Sequence, residues 1–243
     1  TNINRTMGRA FEYRKARKLK RWGNMAKTFT KLGKEIIIAV KAGGPDPHAN
    51  SKLRVLMQNA KAANMPKENI ERAIKKATSK DTTDYKEVVY EGYGPNGVAV
   101  IIEALTDNRN RTAPEMRHLL DKYGKGLGAT GCVSWSFDRK GVIILDAEDL
   151  DEDTVMMDAL ESGADDMQAD DEIFEVYTDP DDFDTVKEAL KAEGLEFLEA
   201  EIQMVPQTYT SLTSEDDIKN MEKMLEVMEA NDDIQDVWHN WEE

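Results

Sequence analysis

Cysteine is almost missing from this chain. Cys132 is the only one among 243 residues, so no internal disulfide can form and no cysteine cluster can hold a metal. Histidine is nearly as scarce: His48, His118 and His239 are spread out, none at ligand spacing from another or from the cysteine. Long apolar runs are absent as well, since no stretch approaches the ~20 residues a membrane-spanning helix needs. The first residues lack the apolar core and small-residue cleavage site of a secretory signal, and the expectation is a protein of the reducing cytoplasm. Carboxylates are plentiful, but no pair is set apart as a general acid and base, and the acidic run at 165–172 has no calcium-loop glycine. We therefore expect no catalytic residues, no metal, no cofactor and no small-molecule substrate.

What the chain does have is charge, unevenly placed. The net of −16 conceals two opposite halves. Residues 1–80 hold 20 Lys and Arg against 5 Asp and Glu, whereas residues 81–243 hold 12 against 43. Salt at about 0.15 M screens charges beyond roughly 8 Å, so a ligand at the basic end responds mainly to that end. A solvated helical face is the bland reading of any charge run. The contrast between the halves argues instead for a phosphate partner. A third reading lets the basic end close on the acidic body, through screened contacts worth about 0–1 kcal/mol each.

Along the chain, residues 9–22 read as a basic helix or arm in which Phe11, Tyr13 and Trp22 interleave with the cations. Met25, Phe29, Leu32, Ile36 and Val40 recur every three or four residues, predicting an amphipathic helix that Gly43 and Gly44 end. Two more helices follow, burying Leu53, Leu56 and Met57, then Ile70, Ile74 and Ala77. From Tyr85 the period changes. Residues 88–93 and 97–105 read as a hairpin, and Thr112 with Glu115 reads as the capping box of a helix through Met116, Leu119 and Leu120. Residues 132–137 and 141–145 read as a second hairpin, with helices at 153–162 and 180–193, strands at 173–177 and 195–205, and a last helix from Ser214. A β-α-β layout with Thr-Asp at the turn appears twice. The fold class this predicts is a basic N-terminal helical bundle followed by two ferredoxin-like α+β sandwich domains. The expected domains are 1–80, 81–131 with 206–243, and an inserted 132–205.

The candidate nucleic-acid-binding residues are Arg9, Arg14, Lys15, Arg17, Lys18, Lys20, Arg21, Lys27, Lys31 and Lys34, together with Arg109 and Arg111 in a loop before a helix N-terminus. Phe11, Tyr13 and Trp22 offer rings for stacking on bases. The stretch GKGLGATG at 124–131 has a helix before it and a strand after it, the reverse of a phosphate-binding loop, and reads as a flexible link. Its Lys125, Gly126 and Gly128 are candidates for a mobile contact loop. Cys132 reads as a buried structural thiol.

Three ordered stretches, NAKAANMPKENIERAI (59–74), YEGYGPNGVA (90–99) and LTDNRNRT (105–112), resemble the YebC family. The resemblance extends from Met7 to the end of the chain. It implies a helical N-terminal domain, two α+β domains and a non-enzymatic, cytoplasmic protein. The family includes bacterial DNA-binding transcriptional regulators and a mitochondrial translational activator, so the implied partner is DNA or ribosomal RNA on the ribosome. Many members open with a Gly-His-Ser-Lys-Trp segment where this chain has MGRAFEYRK at 7–15, the pattern of a sub-branch. Met7-Gly8 looks like a natural start, which makes residues 1–6 extraneous. Two functions follow, a DNA-binding regulator and a ribosome-associated factor that relieves stalled peptide synthesis. An acidic protein-interaction scaffold is the alternative from another class.

Overall fold

The structure, a computed structural model, describes residues 25–80 and 83–242. Helix α1 (Met25–Gly43) buries Ile36, Ile37 and Val40 against α2 (Ser51–Ala62) and α3 (Lys67–Ala77), which contribute Leu53, Leu56, Ala60, Ile70 and Ala73. One side chain joins the first two helices. Asn50 accepts the Leu53 N–H at 3.0 Å as the N-cap of α2, and its amide donates to the carbonyls of Ala39 and Gly44 at 2.8 and 2.9 Å. The chain leaves α1 through Gly44 at φ +85°, a conformation that glycine adopts without Cβ strain. Gly43 is small for a separate reason: a Cβ there would meet the Asn50 amide at 2.7 Å.

Mixed α+β architecture follows, on antiparallel sheets. In the first, β1 (Lys86–Tyr93), β2 (Ala99–Thr106), β3 (Gly126–Leu127) and β9 (Ile234–His239) lie in the order β3-β1-β2-β9. The register Tyr90↔Ile102↔Val237 puts Val100, Ile102 and Ala104 on one face. Helices α4 (Arg109–Tyr123) and α7 (Glu215–Ala230) supply the buried Met116, Leu120, Met221, Met224 and Met228. Leu120 comes so close to β1 that a Cβ on Gly92 would sit 2.7 Å from its methyl. The C-terminal region thus contributes both a helix and a strand to a sheet begun at residue 86.

The second sheet has the order β5-β6-β4-β7 and is built in sequence as β4 (Phe137–Asp146), α5 (Glu152–Glu161), β5 (Asp166–Ala169), β6 (Ile173–Thr178), α6 (Phe183–Ala192) and β7 (Phe197–Pro206). Ile143, Leu145, Phe174 and Val176 pack beneath α5 and α6 with Val155, Ala159, Val186 and Leu190. A short parallel pair, β8 (Thr210–Ser211) with β10 (Trp241–Glu242), completes this part. The chain separates into two compact units. One is Ser134–Ser211 with the segment from Asn240, and the other comprises the three helices, the first sheet, α4 and Leu212–His239.

Some expected elements change. The hairpin expected over 132–145 is a single strand, Phe137–Asp146, preceded by a 3₁₀ turn at Ser134–Ser136. The acidic run at 165–172, read as a solvated face, contains strand β5, because Met167 points into the core while its acidic neighbours point out. Helix α4 begins at Arg109 with Asn108 as its cap, four residues before the expected Thr112. Thr112 is fully buried.

Candidate nucleic-acid interface

Of the sequence-predicted contacts, Arg9, Arg14, Lys15, Arg17, Lys18, Lys20 and Arg21, with Phe11, Tyr13 and Trp22, lie outside the described residues. The remaining ones fall into three groups.

Lys27, Lys31 and Lys34 sit along one face of α1 and reach the end of α7. Lys27 Nζ donates to the Ala230 carbonyl at 2.6 Å and Lys31 Nζ to that of Glu229 at 3.1 Å. Lys34 Nζ donates to the Asp232 carbonyl at 2.8 Å and pairs with Asp233 at 2.9 Å. Orphan carbonyls and the negative end of the dipole make a helix C-terminus a natural seat for cations. Lys31 and Lys34 are buried, 4% and 8% exposed, and in this structure their ammonium groups tie α1 to the end of α7 and the turn after it. Helical spacing shows that the three lysines share a face, but not that another helix ends there.

Asp233 organises the second group. Besides Lys34, its carboxylate accepts from Arg111 Nη2 at 2.6 Å, and the hydroxyls of Thr112 and Thr106 lie 3.0 and 3.5 Å away. Arg111 also pairs with Asp107 at 2.8 Å. Burial pushes the Asp233 carboxyl up, but the hydrogen bonds from Arg111 and Lys34 outweigh it and leave the group below its ordinary range. Its hydrogen bonds to Asp233 and then to Asp107 hold the Arg111 guanidinium above its usual value. Arg111 therefore shares its charge between two carboxylates, although 44% of its side chain remains exposed. Arg109, one position into the helix, is exposed and faces solvent from the first turn, not from a loop.

The third group is the glycine-rich segment, whose backbone is tied down along its length. The Lys125 and Gly128 N–H groups donate to the carbonyls of Tyr93 and Glu91 at 2.8 Å each. The Glu91 carboxylate, 4% exposed, accepts the N–H groups of Gly131 and Val133. These amides form the anion cradle that a phosphate-binding loop would offer, and a carboxylate of the same chain occupies it. Gly126 adopts φ +109°, and a Cβ on Gly128 would run into the Cys132 sulfur. Cys132 is half-buried, and burial raises its thiol above the ordinary value, a poor setting for a reactive thiolate. Among the described residues no group of three His, Cys, Asp or Glu side chains could hold a metal ion.

Cations that sequence reasoning passed over are on the surface. Arg54 and Lys61 on α2, Arg72 and Lys75 on α3, and Arg117 and Lys122 on α4 are exposed. Their signal was their phase: each falls between the positions that build the cores, such as Leu53, Leu56 and Ala60 or Ile70, Ala73 and Ala77. Arg72 is steadied by Asn69 at 3.4 Å, and no acidic residue occupies the first turn of α2 to offset Arg54.

Two family models match the chain, one described as the TACO1/YebC protein N-terminal domain over residues 9–80 and the other as the TACO1/YebC second and third domain over residues 85–241. A probable transcriptional regulatory protein of Acetivibrio thermocellus is 57% identical over 93% of this chain and 95% of the relative. One of the same description from Caldicellulosiruptor bescii is 52% identical over 94% and 95%. The crystal structure of a conserved hypothetical protein of Aquifex aeolicus matches with a TM-score of 0.78 at 44% identity, covering 89% of this chain and 90% of that one.

Proposed function

We propose, from the premise that this chain belongs to the TACO1/YebC family, that it is a nucleic-acid-binding regulator of gene expression that works without catalysis. The names of its relatives, probable transcriptional regulatory proteins, support DNA as the target. One observation carries the reading: the helical module keeps Arg54, Lys61, Arg72 and Lys75 exposed on a chain whose remainder is strongly acidic. Counterion release from phosphates would then supply most of the affinity. The arm at 9–21 adds seven cations, and Arg109 and Arg117 extend the charged surface onto α4. The β-α-β-β-α-β order of residues 137–206 supports naming the inserted domain ferredoxin-like.

The experiment is a titration of duplex DNA, ribosomal RNA and intact ribosomes with the full chain, between 0.05 and 0.2 M salt, against a variant carrying Arg54→Ala, Lys61→Ala, Arg72→Ala and Lys75→Ala. The expected result is weaker binding and, on duplex DNA, a log–log salt slope shallower by about 0.9 for each phosphate no longer neutralised. Unchanged affinity and slope would remove the helical module from the interface. Binding to ribosomes but not to duplex DNA would assign the protein to translation.

A further inference from the structure

Helix α5 turns Val155 and Ala159 onto its sheet and leaves Met157 and Leu160 in solvent. Met157 is 60% exposed and Leu160 48%. Three positions apart on a helix, they are surface neighbours and make one apolar patch. Asp153 lies one turn before Met157 and Glu161 one turn after it, so a carboxylate stands at each end of the patch. Glu152 and Asp158 add two more acids, and α5 has no basic residue. Among the described residues none of the four carboxylates enters an ion pair; Lys187, on α6, pairs with Asp184 instead. The imbalance reaches well beyond the helix. Residues 141–186 hold 18 Asp and Glu and no Lys, Arg or His. Glu161 sits in the last turn, where the helix dipole disfavours a carboxylate, so neither helix stability nor the core accounts for this face.

We propose that this face of α5 is a docking site for a basic amphipathic helix of another protein. Charge complementarity selects the occupant: cations for Asp153 and Glu161, and apolar side chains to cover Met157 and Leu160. The two acids are about 12 Å apart along the axis, two turns and a little more. A partner packed alongside α5 therefore needs Lys or Arg about seven or eight residues apart, with apolar residues at the third and fourth positions between them. Methionine suits such a surface, since its unbranched, polarisable side chain re-packs against apolar groups of different shape. A phosphate or an anionic lipid surface would be repelled here. The docking does not depend on the nucleic-acid reading, which concerns the cations of α2, α3 and α4.

The probe is a fluorescein-labelled synthetic helix of lysine and leucine in this spacing, titrated against the full chain by anisotropy at 0.05 M salt. A peptide of the same composition, scrambled so that it has no apolar face, is the control for charge alone. Met157→Ser with Leu160→Ser should weaken binding of the amphipathic peptide by about tenfold or more. Asp153→Asn with Glu161→Gln should weaken it by about fivefold. Glu188→Gln with Glu193→Gln removes as much charge from the region of α6 and should leave the affinity unchanged. Equal binding of the scrambled peptide, an equal loss from the α6 pair, or full binding by the Met157→Ser, Leu160→Ser chain would overturn the proposal. Sedimentation of the chain alone should not change with those two serines. Self-association that they abolish would make a second copy the occupant and overturn it too. Met157 and Leu160 are exposed, so the melting temperature should hold. If it falls, the Asp153→Asn, Glu161→Gln chain decides.

Discussion

At the level of single residues, Asp233 draws together groups from positions 34, 106, 111 and 112. Replacing it with alanine leaves the buried Lys34 ammonium without its counter-ion, and the expected loss is about 3–5 kcal/mol, read by urea unfolding. The acid dependence has a definite sign. A carboxylate held below its ordinary value adds stability above the unfolded-state value of about 4 and gives it up as pH falls through the folded-state value. Melting temperatures recorded from pH 6 down to pH 3 should therefore fall more steeply for the parent chain than for Asp233→Asn. Nothing local in the sequence announces this residue. Its partners are up to 199 positions away, so Arg111 reads as an available guanidinium and Lys34 as one more surface lysine. Only the tertiary fold, which sets the turn after α7 beside the end of β2, the start of α4 and the Lys34 side chain of α1, brings them together.

Secondary-structure elements are legible where periodicity is strong and obscured where two signals compete. The phase of Ile36, Val40, Leu53, Leu56 and Ile70 locates the three helices of the basic module, and glycines at positive φ end α1 and follow α5 and α6, at 44, 163 and 194. The expected start of α4 is displaced because Thr112 and Glu115 mimic a capping box. Asn108 competes successfully: its side chain accepts the Arg111 N–H at 3.2 Å, and the Thr112 hydroxyl turns inward to Thr106 at 2.7 Å. Strand β5 is hidden in the sequence because an edge strand with acidic outward positions looks like a solvated run. The glycine-rich segment reads as a flexible link, yet its amides are satisfied by Glu91 and by the backbone of β1. Gly128→Ala should thus cost about 1–3 kcal/mol of stability, because its methyl runs into the Cys132 sulfur. Adding Cys132→Ala should restore most of the loss, since the nearest remaining atom of that residue, its Cβ, lies 3.4 Å away. If the double variant is no more stable than the single one, the crowding lies elsewhere.

For the whole molecule, charge distribution says more than net charge. Residues 134–211 account for an excess of 20 negative charges. A chain in which a short glycine-serine bridge replaces them has a net charge of +4 in place of −16. Its affinity for random duplex DNA, measured by fluorescence anisotropy at 0.05 M salt, should rise on the order of tenfold through reduced repulsion. The gain should shrink at 0.2 M as screening shortens. An unchanged affinity at low salt would mean that the acidic unit has no electrostatic influence on the basic module.

Strand β9, residues 234–239, lies against the side of β2 opposite β1. During synthesis β1, β2 and α4 emerge well before their closing neighbour, and the whole of 134–211 is made in between. Throughout that interval β2 presents bare peptide groups to any passing strand, the condition under which nascent sheets pair wrongly. A ribosome that halts inside the inserted unit would hold this protein with its first sheet unfinished and adhesive.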